Sequence, residues 1–206
     1  IELPIRGDLD VNGWDLRKAL GLLRESNPTL LEWLRSPIVY REEAATMSEL
    51  RRLAEHTFTS VKGWHHYASM AKKNFREYLQ GDEVRTKKYL YVLRPLLAAR
   101  WIRTQTGVPP MRFAELAQRT LHPAQDAALI AEINALLEVK MRSGEAATGP
   151  RWPAIHAFIE AELAANATQP VLPLPPGRGD ELDALLHHTV LAYDTATCAV
   201  ADGGGA

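Results

Sequence analysis

The 206-residue sequence predicts an α+β protein that is mainly α, and three observations carry that expectation. Apolar residues recur three and four positions apart over almost the whole chain after the first dozen residues. Helix punctuation is frequent and legible, as at Asn12-Gly13, Ser26-Asn27-Pro28 and Ser36-Pro37. Only the opening "IELPIRGDLDV" alternates loosely, and its Pro4 and Gly7 suit a strand pair at a sheet edge.

After Asn12-Gly13, Leu16, Leu20 and Leu23 give a first helix its apolar stripe. Pro28, favoured at the first helical position, opens a second helix with Leu30, Leu31 and Leu34 as its apolar residues. Further helices are expected near 42–56, 60–79, 84–104, 110–119, 123–142 and 152–165, with breaks at Gly81-Asp82, 107–110 and His122-Pro123. Pro95 lies inside the fifth of these segments and should kink it just after Arg94. "QPVLPLPPGRG" at 169–179 reads as a stiff connector before an amphipathic helix from Asp180 to about Tyr193, and the Gly-rich end reads as a tail.

Composition bounds the function classes. At 46% apolar the chain can bury one sizeable core, which sets it apart from disordered chains. The single cysteine, Cys198, allows no internal disulfide and no thiolate cluster, so a reducing, cytoplasmic setting is expected. No apolar run reaches bilayer length, no leader precedes the fold, and no membrane partner is expected. The initial Ile and the closing "ADGGGA" read as the ends of a piece of a longer frame. The net charge of −1 conceals an asymmetry: residues 62–103 carry ten Lys/Arg against three Asp/Glu. Such a segment is either a solvated helix face or a surface for phosphates.

Two groups of residues can carry chemistry. Asp8 and Asp10 are two apart, so on a strand their carboxylates share a face and could hold a hard divalent cation; a plain surface turn before a helix is the ordinary reading of the same spacing. Lys87, Tyr91 and Arg94, at i, i+4 and i+7, line up cation, ring and cation on one helix stripe, while a different stripe, Leu90, Leu93, Leu97 and Trp101, is the core face. That stripe could grip phosphates beside a base, or be an exposed face with a snorkelling lysine. On the preceding helix Trp64, Tyr67, Ala71, Phe75 and Tyr78 form the apolar face and Ser69, Lys72, Lys73 and Arg76 the opposite one. His65-His66 cannot chelate one ion together, because adjacent helical positions diverge by about 100°. No Gly-rich phosphate loop, nucleophile elbow or zinc-protease helix is present.

"DLDVNGWDLRKALGLLRESNPTLLEWLRSPIVY", "HYASMAKKN" and "KKYLYVLRPLLAARWI", in that order, resemble the polymerase-beta-like nucleotidyltransferases, in particular the group associated with RNA-repair ligases, over roughly residues 1 to 165. The resemblance implies a metal-dependent transfer of a nucleotidyl group from an NTP, expected to be ATP, to a hydroxyl or phosphate acceptor, with RNA as an expected partner. It implies that Asp10 is the third of three carboxylates holding Mg²⁺ or Mn²⁺, with Asp8 as the alternate. Lys87, Tyr91 and Arg94 match a Lys-x-x-x-aromatic-x-x-Arg helix motif of the family, and Lys73 is a further nucleotide contact. The Gly-Ser and Asp-x-Asp that precede the third carboxylate in the family do not occur before Asp10, so these residues alone are expected to give no turnover. The implied division is 1–40 as the end of the catalytic domain with a remnant strand pair of its sheet, 41–166 as a helical domain completing the nucleotide site, and 167–206 as connector, helix and tail. Two other readings stay open: a non-catalytic helical RNA-binding module, and a regulatory protein partner. Self-association is not decided by the sequence.

Overall fold

The computed structural model describes residues 3–5, 7, 10–105, 107–142, 148–173 and 179–202, without the side chains of 193–202. The fold is α+β and mainly α, with nine helices and one two-stranded antiparallel sheet among the described residues. It divides into two compact units, Ile1–Phe58 with Pro175–Ala206, and Thr59–Leu174. None of the described helices is long and apolar enough to cross a membrane.

In the first unit, α1 (Leu16–Arg24) starts at Asp15, whose carboxylate accepts the Lys18 N–H at 2.8 Å as an N-cap. It stops at Ser26, a buried residue in the left-handed region at φ 51°. Ser26 N–H bonds the Leu23 carbonyl and Asn27 N–H the Leu22 carbonyl, the paired bonds of a Schellman ending. Asn27 then caps α2 (Pro28–Leu34) through Leu30 N–H at 3.1 Å, with Pro28 where its missing donor costs nothing. Three residues thus end one helix and start the next. The hairpin buries Leu20, Leu23, Leu30, Leu31 and Leu34, and stacks Trp14 on Trp33 with centroids 4.3 Å apart and planes at 17°.

The N-cap of α3 (Ala44–Thr57) is Glu43, whose carboxyl is held below its ordinary pKa by hydrogen bonds to Thr46, side chain and N–H, and to Ala45 N–H. Arg51 donates from Nε to the Leu34 carbonyl at 3.0 Å, closing the end of α2, and pairs with Glu42. The last helix, α9 (Gly179–Asp202), returns to this unit: Arg24 pairs with Asp183 at 3.0 Å, Arg52 with Glu181 at 2.9 Å, and Leu182 is buried. It runs past the stop expected near Tyr193, through an Ala-rich stretch that costs a helix little.

The second unit centres on a helical hairpin, α4 (Ser60–Tyr78) and α5 (Thr86–Gln105). The turn between them contains β1 (Glu83–Arg85), which pairs with β2 (Thr148–Pro150) in the register Val84 to Gly149. Arg151 follows β2 and donates to the Gln80 and Gly81 carbonyls, fastening the turn to the start of α8 (Pro153–Ala165). This ribbon is therefore built by residues 80 positions into the chain and beyond. At the amino end, where a strand pair was expected, the described residues show one backbone bond, Leu3 N–H to the Val11 carbonyl at 3.1 Å, and a single bridge residue, Asn12. Pro4 supplies no donor there, which limits pairing.

Helices α6 (Phe113–Thr120), α7 (Ala127–Arg142) and α8 pack around α5, which buries Tyr89, Val92, Leu93 and all of Pro95 to Ala99. Helix α8 has no side-chain cap of its own. Its first turn is satisfied by neighbours: Glu132 of α7 accepts Ile155 N–H at 2.9 Å, and the Tyr89 hydroxyl accepts Trp152 N–H at 3.2 Å. At the other end of α8, buried Glu162 takes both oxygens to Arg103 at 3.0 and 3.2 Å, with Arg100 at 3.7 Å. Asn166 Oδ1 accepts from Trp64 Nε1 and from Arg103, so one cluster ties α4, α5 and α8 together, while the buried Asn166 Nδ2 has no hydrogen-bond partner among the described residues.

His156 of α8 lies edge-on to Phe75 of α4 and Tyr89 of α5, 92% out of contact with solvent by its 8% exposure. Burial and then the Arg151 charge push its imidazole below the ordinary 6.5, against weaker opposite pulls from Glu160 and Glu132. Because the unfolded chain binds this proton more readily, stability is complete above about pH 6.5 and falls as pH drops through that value toward the folded pKa. Urea midpoints should therefore fall between roughly pH 7.5 and pH 5.5, and the His156→Leu variant should lose much of that slope. A midpoint independent of pH in the parent protein would show that His156 is not held neutral.

Candidate functional site

Asp10 is exposed, and its Oδ1 accepts a hydrogen bond from Asn12 Nδ2 at 2.8 Å. Asp8 lies outside the described residues. Among the described residues no three His, Cys, Asp or Glu side chains converge as metal ligands. A lone carboxylate is nonetheless the right donor for Mg²⁺ or Mn²⁺, which prefer oxygen and keep waters or substrate phosphates as their other ligands. Asp10 thus fits as one ligand and does not make a cage. It belongs to the first unit, whereas Lys73, Lys87, Tyr91 and Arg94 belong to the second, so the two halves of the expected site are described separately.

The second half is built by the α4–α5 hairpin. Pro95 has no N–H, so the Tyr91 carbonyl one turn earlier loses its helical donor. Asn74 of α4 replaces it: its Nδ2 donates to the Tyr91 oxygen at 2.8 Å, and α5 is one helix from Thr86 to Gln105 with Pro95 inside it. This bond sets the turn of α4 that carries Lys73 level with the turn of α5 that carries Tyr91. One turn further along the antiparallel pair, Lys88 Nζ sits 3.7 Å from the Tyr78 ring centroid and 4.9 Å from that of Tyr91. The Tyr78 phenol bonds Glu77, which raises its pKa.

Lys73 is exposed, Tyr91 is 42% exposed, and Lys87 and Arg94 are half-buried and engaged with neighbours. The stripe of Lys87, Tyr91 and Arg94 therefore surfaces on the flank of a helix whose opposite side is core, as its spacing requires. Chemically it offers fixed positive charge, a phenol and an aromatic face. That set can hold a polyanion that also carries a ring.

Sequence reasoning missed three members of this region. Lys88 was visible, three residues before Tyr91 on the same face, but its neighbour Lys87 fitted the motif better. Tyr78 was assigned to the apolar face, and Asn74 carries no sequence signal beyond Pro95 itself, since only packing shows which side chain reaches the vacant carbonyl.

Residues 1–188 match the RNA repair pathway DNA polymerase beta family. The chain is also similar to "Uncharacterized protein YcgL" of Bacillus subtilis (strain 168), with 46% identity over 163 residues. That alignment covers 79% of this chain and 62% of the relative, so the chain spans about three fifths of the relative's length. No solved structure matches significantly. The family match reaches past residue 165, where the resemblance was expected to end, into α9, the helix that Arg24 and Arg52 fasten to the first unit.

The role of Asn74 can be isolated by a double-mutant cycle. Asn74→Ala should cost about 1 kcal/mol in urea unfolding, since it leaves the Tyr91 carbonyl to solvent. In a Pro95→Ala background, where residue 95 brings its own N–H, the same change should cost clearly less. Equal costs in both backgrounds would mean that Asn74 does not substitute for the missing donor.

Proposed function

The chain belongs to the RNA repair pathway DNA polymerase beta family, and from that premise we propose that it binds a nucleoside triphosphate, ATP in the first instance, for transfer of its nucleotidyl group to a hydroxyl or phosphate acceptor. The observation that carries this reading is the coincidence of the family match with the stripe of Lys87, Tyr91 and Arg94 on the open flank of α5.

In this reading Arg94 and Lys87 neutralise triphosphate oxygens, the guanidinium in a two-pronged grip and the ammonium as a point charge. Lys73 adds charge from the facing helix. Tyr91 positions base or sugar, and Lys88, fixed against both tyrosine rings, restricts where the Tyr91 ring can lie. The acceptor oxygen forms a bond to the α-phosphorus as the bond to the bridging oxygen of the β-phosphate breaks, pyrophosphate leaves, and the acceptor proton passes to solvent. Asp10, with Asp8 as alternate, would be a carboxylate ligand of Mg²⁺ or Mn²⁺; the bound ion supplies charge stabilisation at the phosphate and a lower pKa at the acceptor hydroxyl. Further carboxylates would come from the part of the family's length that this chain does not span. Residues 1–40 then act as the end of a catalytic domain, 41–166 as the helical part of the nucleotide site and 167–206 as connector and closing helix. The lone cysteine and the absence of an apolar span among the described helices support a cytoplasmic setting.

Titration calorimetry with ATP tests the grip. Arg94→Ala should weaken ATP binding by roughly 10- to 100-fold, the loss expected for a charge-assisted hydrogen-bond pair, with an unchanged circular dichroism spectrum. Asp10→Asn should leave metal-free ATP binding intact and weaken Mn²⁺ binding. Arg94→Ala with the parent's ATP affinity would overturn the reading.

A further inference from the structure

Most arginines of this protein are used internally. Arg35, Arg51, Arg52, Arg103 and Arg151 all bond a carboxylate or a backbone carbonyl. Arg17, Arg41, Arg85 and Arg112 are exposed and scattered, whereas Lys72, Lys73 and Arg76 cluster on α4: all three are exposed, and among the described residues none pairs with any of them. They occupy little more than one helical turn, and Lys72 and Arg76 stand at i and i+4, where like charges disfavour a helix. The helix contains one acid, Glu77, and that acid is bonded to the Tyr78 phenol. Three uncompensated cations on one turn form a surface that lacks its counter-charge.

We infer that this outer face of α4 docks the phosphate backbone of a single-stranded RNA, the acceptor of the transfer proposed above, on which reading the inference rests. The four-residue step from Lys72 to Arg76 rises about 6 Å, so the two cations stand one above the other along the helix and can each meet a different phosphate of an extended strand. Exposed Ser69, one turn before, adds a hydroxyl to the same face. Lys73 immediately precedes Asn74, whose side chain meets the Tyr91 carbonyl, so a strand on this face passes beside the turn of α4 that is level with Tyr91. A lipid surface fits less well. Membrane-binding helices place an apolar face beneath their cations, whereas the apolar face of α4, Trp64, Tyr67 and Ala71, is buried in the bundle.

The test is fluorescence anisotropy of a labelled 20-nucleotide single-stranded RNA with the whole chain, in the absence of nucleotide, across a salt series. Binding should weaken as salt rises, and Lys72→Gln with Arg76→Gln should flatten the slope of log affinity against log salt by about 1.4, two contacts at roughly 0.7 each. The double variant should melt like the parent and bind ATP with the parent's affinity. Polyglutamate of equal charge and vesicles rich in anionic lipid should displace the RNA poorly. An unchanged slope in the double variant, or displacement by either competitor at equal charge, overturns the inference. Failure here with Arg94-dependent ATP binding intact removes the RNA surface alone. A flattened slope with ATP affinity indifferent to Arg94 removes the nucleotide grip and keeps α4 as an RNA-binding face.

Discussion

A helix that is packed on most sides cannot also satisfy a proline from within, and α5 is such a helix. Its interior run from Pro95 to Ala99 is buried against α4, α6, α7 and α8, but the gap that the proline ring opens in the backbone ladder does not lie there: the carbonyl left without its helical donor is that of exposed Tyr91. The gap opens instead on the side facing α4, where an amide side chain meets it. That contact adds a polar tie to a hairpin whose rotation and register are set by the packing of its apolar faces. The polar stripe of α5 then surfaces on its flank, and the cations of α4 lie on the exposed face of their own helix. Function in this unit is consequently a matter of what the packing leaves uncovered.

The same economy governs charge. Glu162 is buried and holds two guanidinium groups, an arrangement that costs desolvation and is recovered because both of its oxygens are engaged and Asn166 Oδ1 shares Arg103. Removing one partner would strand the others, so this cluster constrains the ends of three helices at once. In the first unit, ion pairs are exposed and individually weak, and order comes from the caps, where Asp15, Asn27 and Glu43 each meet unpaired N–H groups. The two units are stabilised by different means.

The helices were legible because their signals are local. Ser26-Asn27-Pro28 names a stop, a cap and a first turn in three letters, and the apolar spacing of 60–78 and 86–105 identifies the faces that are buried. What the letters do not carry is partnership between distant segments. Val84 and Gly149 pair across more than sixty residues without an alternating pattern in either three-residue strand, so the ribbon was missed, whereas the loose alternation of the first eleven residues is matched, among the described ones, by the Leu3–Val11 backbone bond and the bridge at Asn12. Helix α9 was recognised as amphipathic, but that Glu181 and Asp183 would bring it back to α1 and α3 depends on the return of the chain. In the candidate site, spacing on one helix was enough to align Lys87, Tyr91 and Arg94. Lys88 between two tyrosines, and Asn74 against the vacant carbonyl, each need a second helix to become visible.

The stacked indoles of Trp14 and Trp33 have a consequence for observation. Two chromophores lying nearly parallel at 4.3 Å share their excited states, and the first unit thereby carries an optical signature of its own. Trp64 and Trp101, sealed inside the second unit, emit from an apolar setting and report on that unit instead. Unlabelled protein thus carries an exciton signal particular to the first unit, beside the summed emission of all five tryptophans, to which Trp64 and Trp101 give the buried contribution.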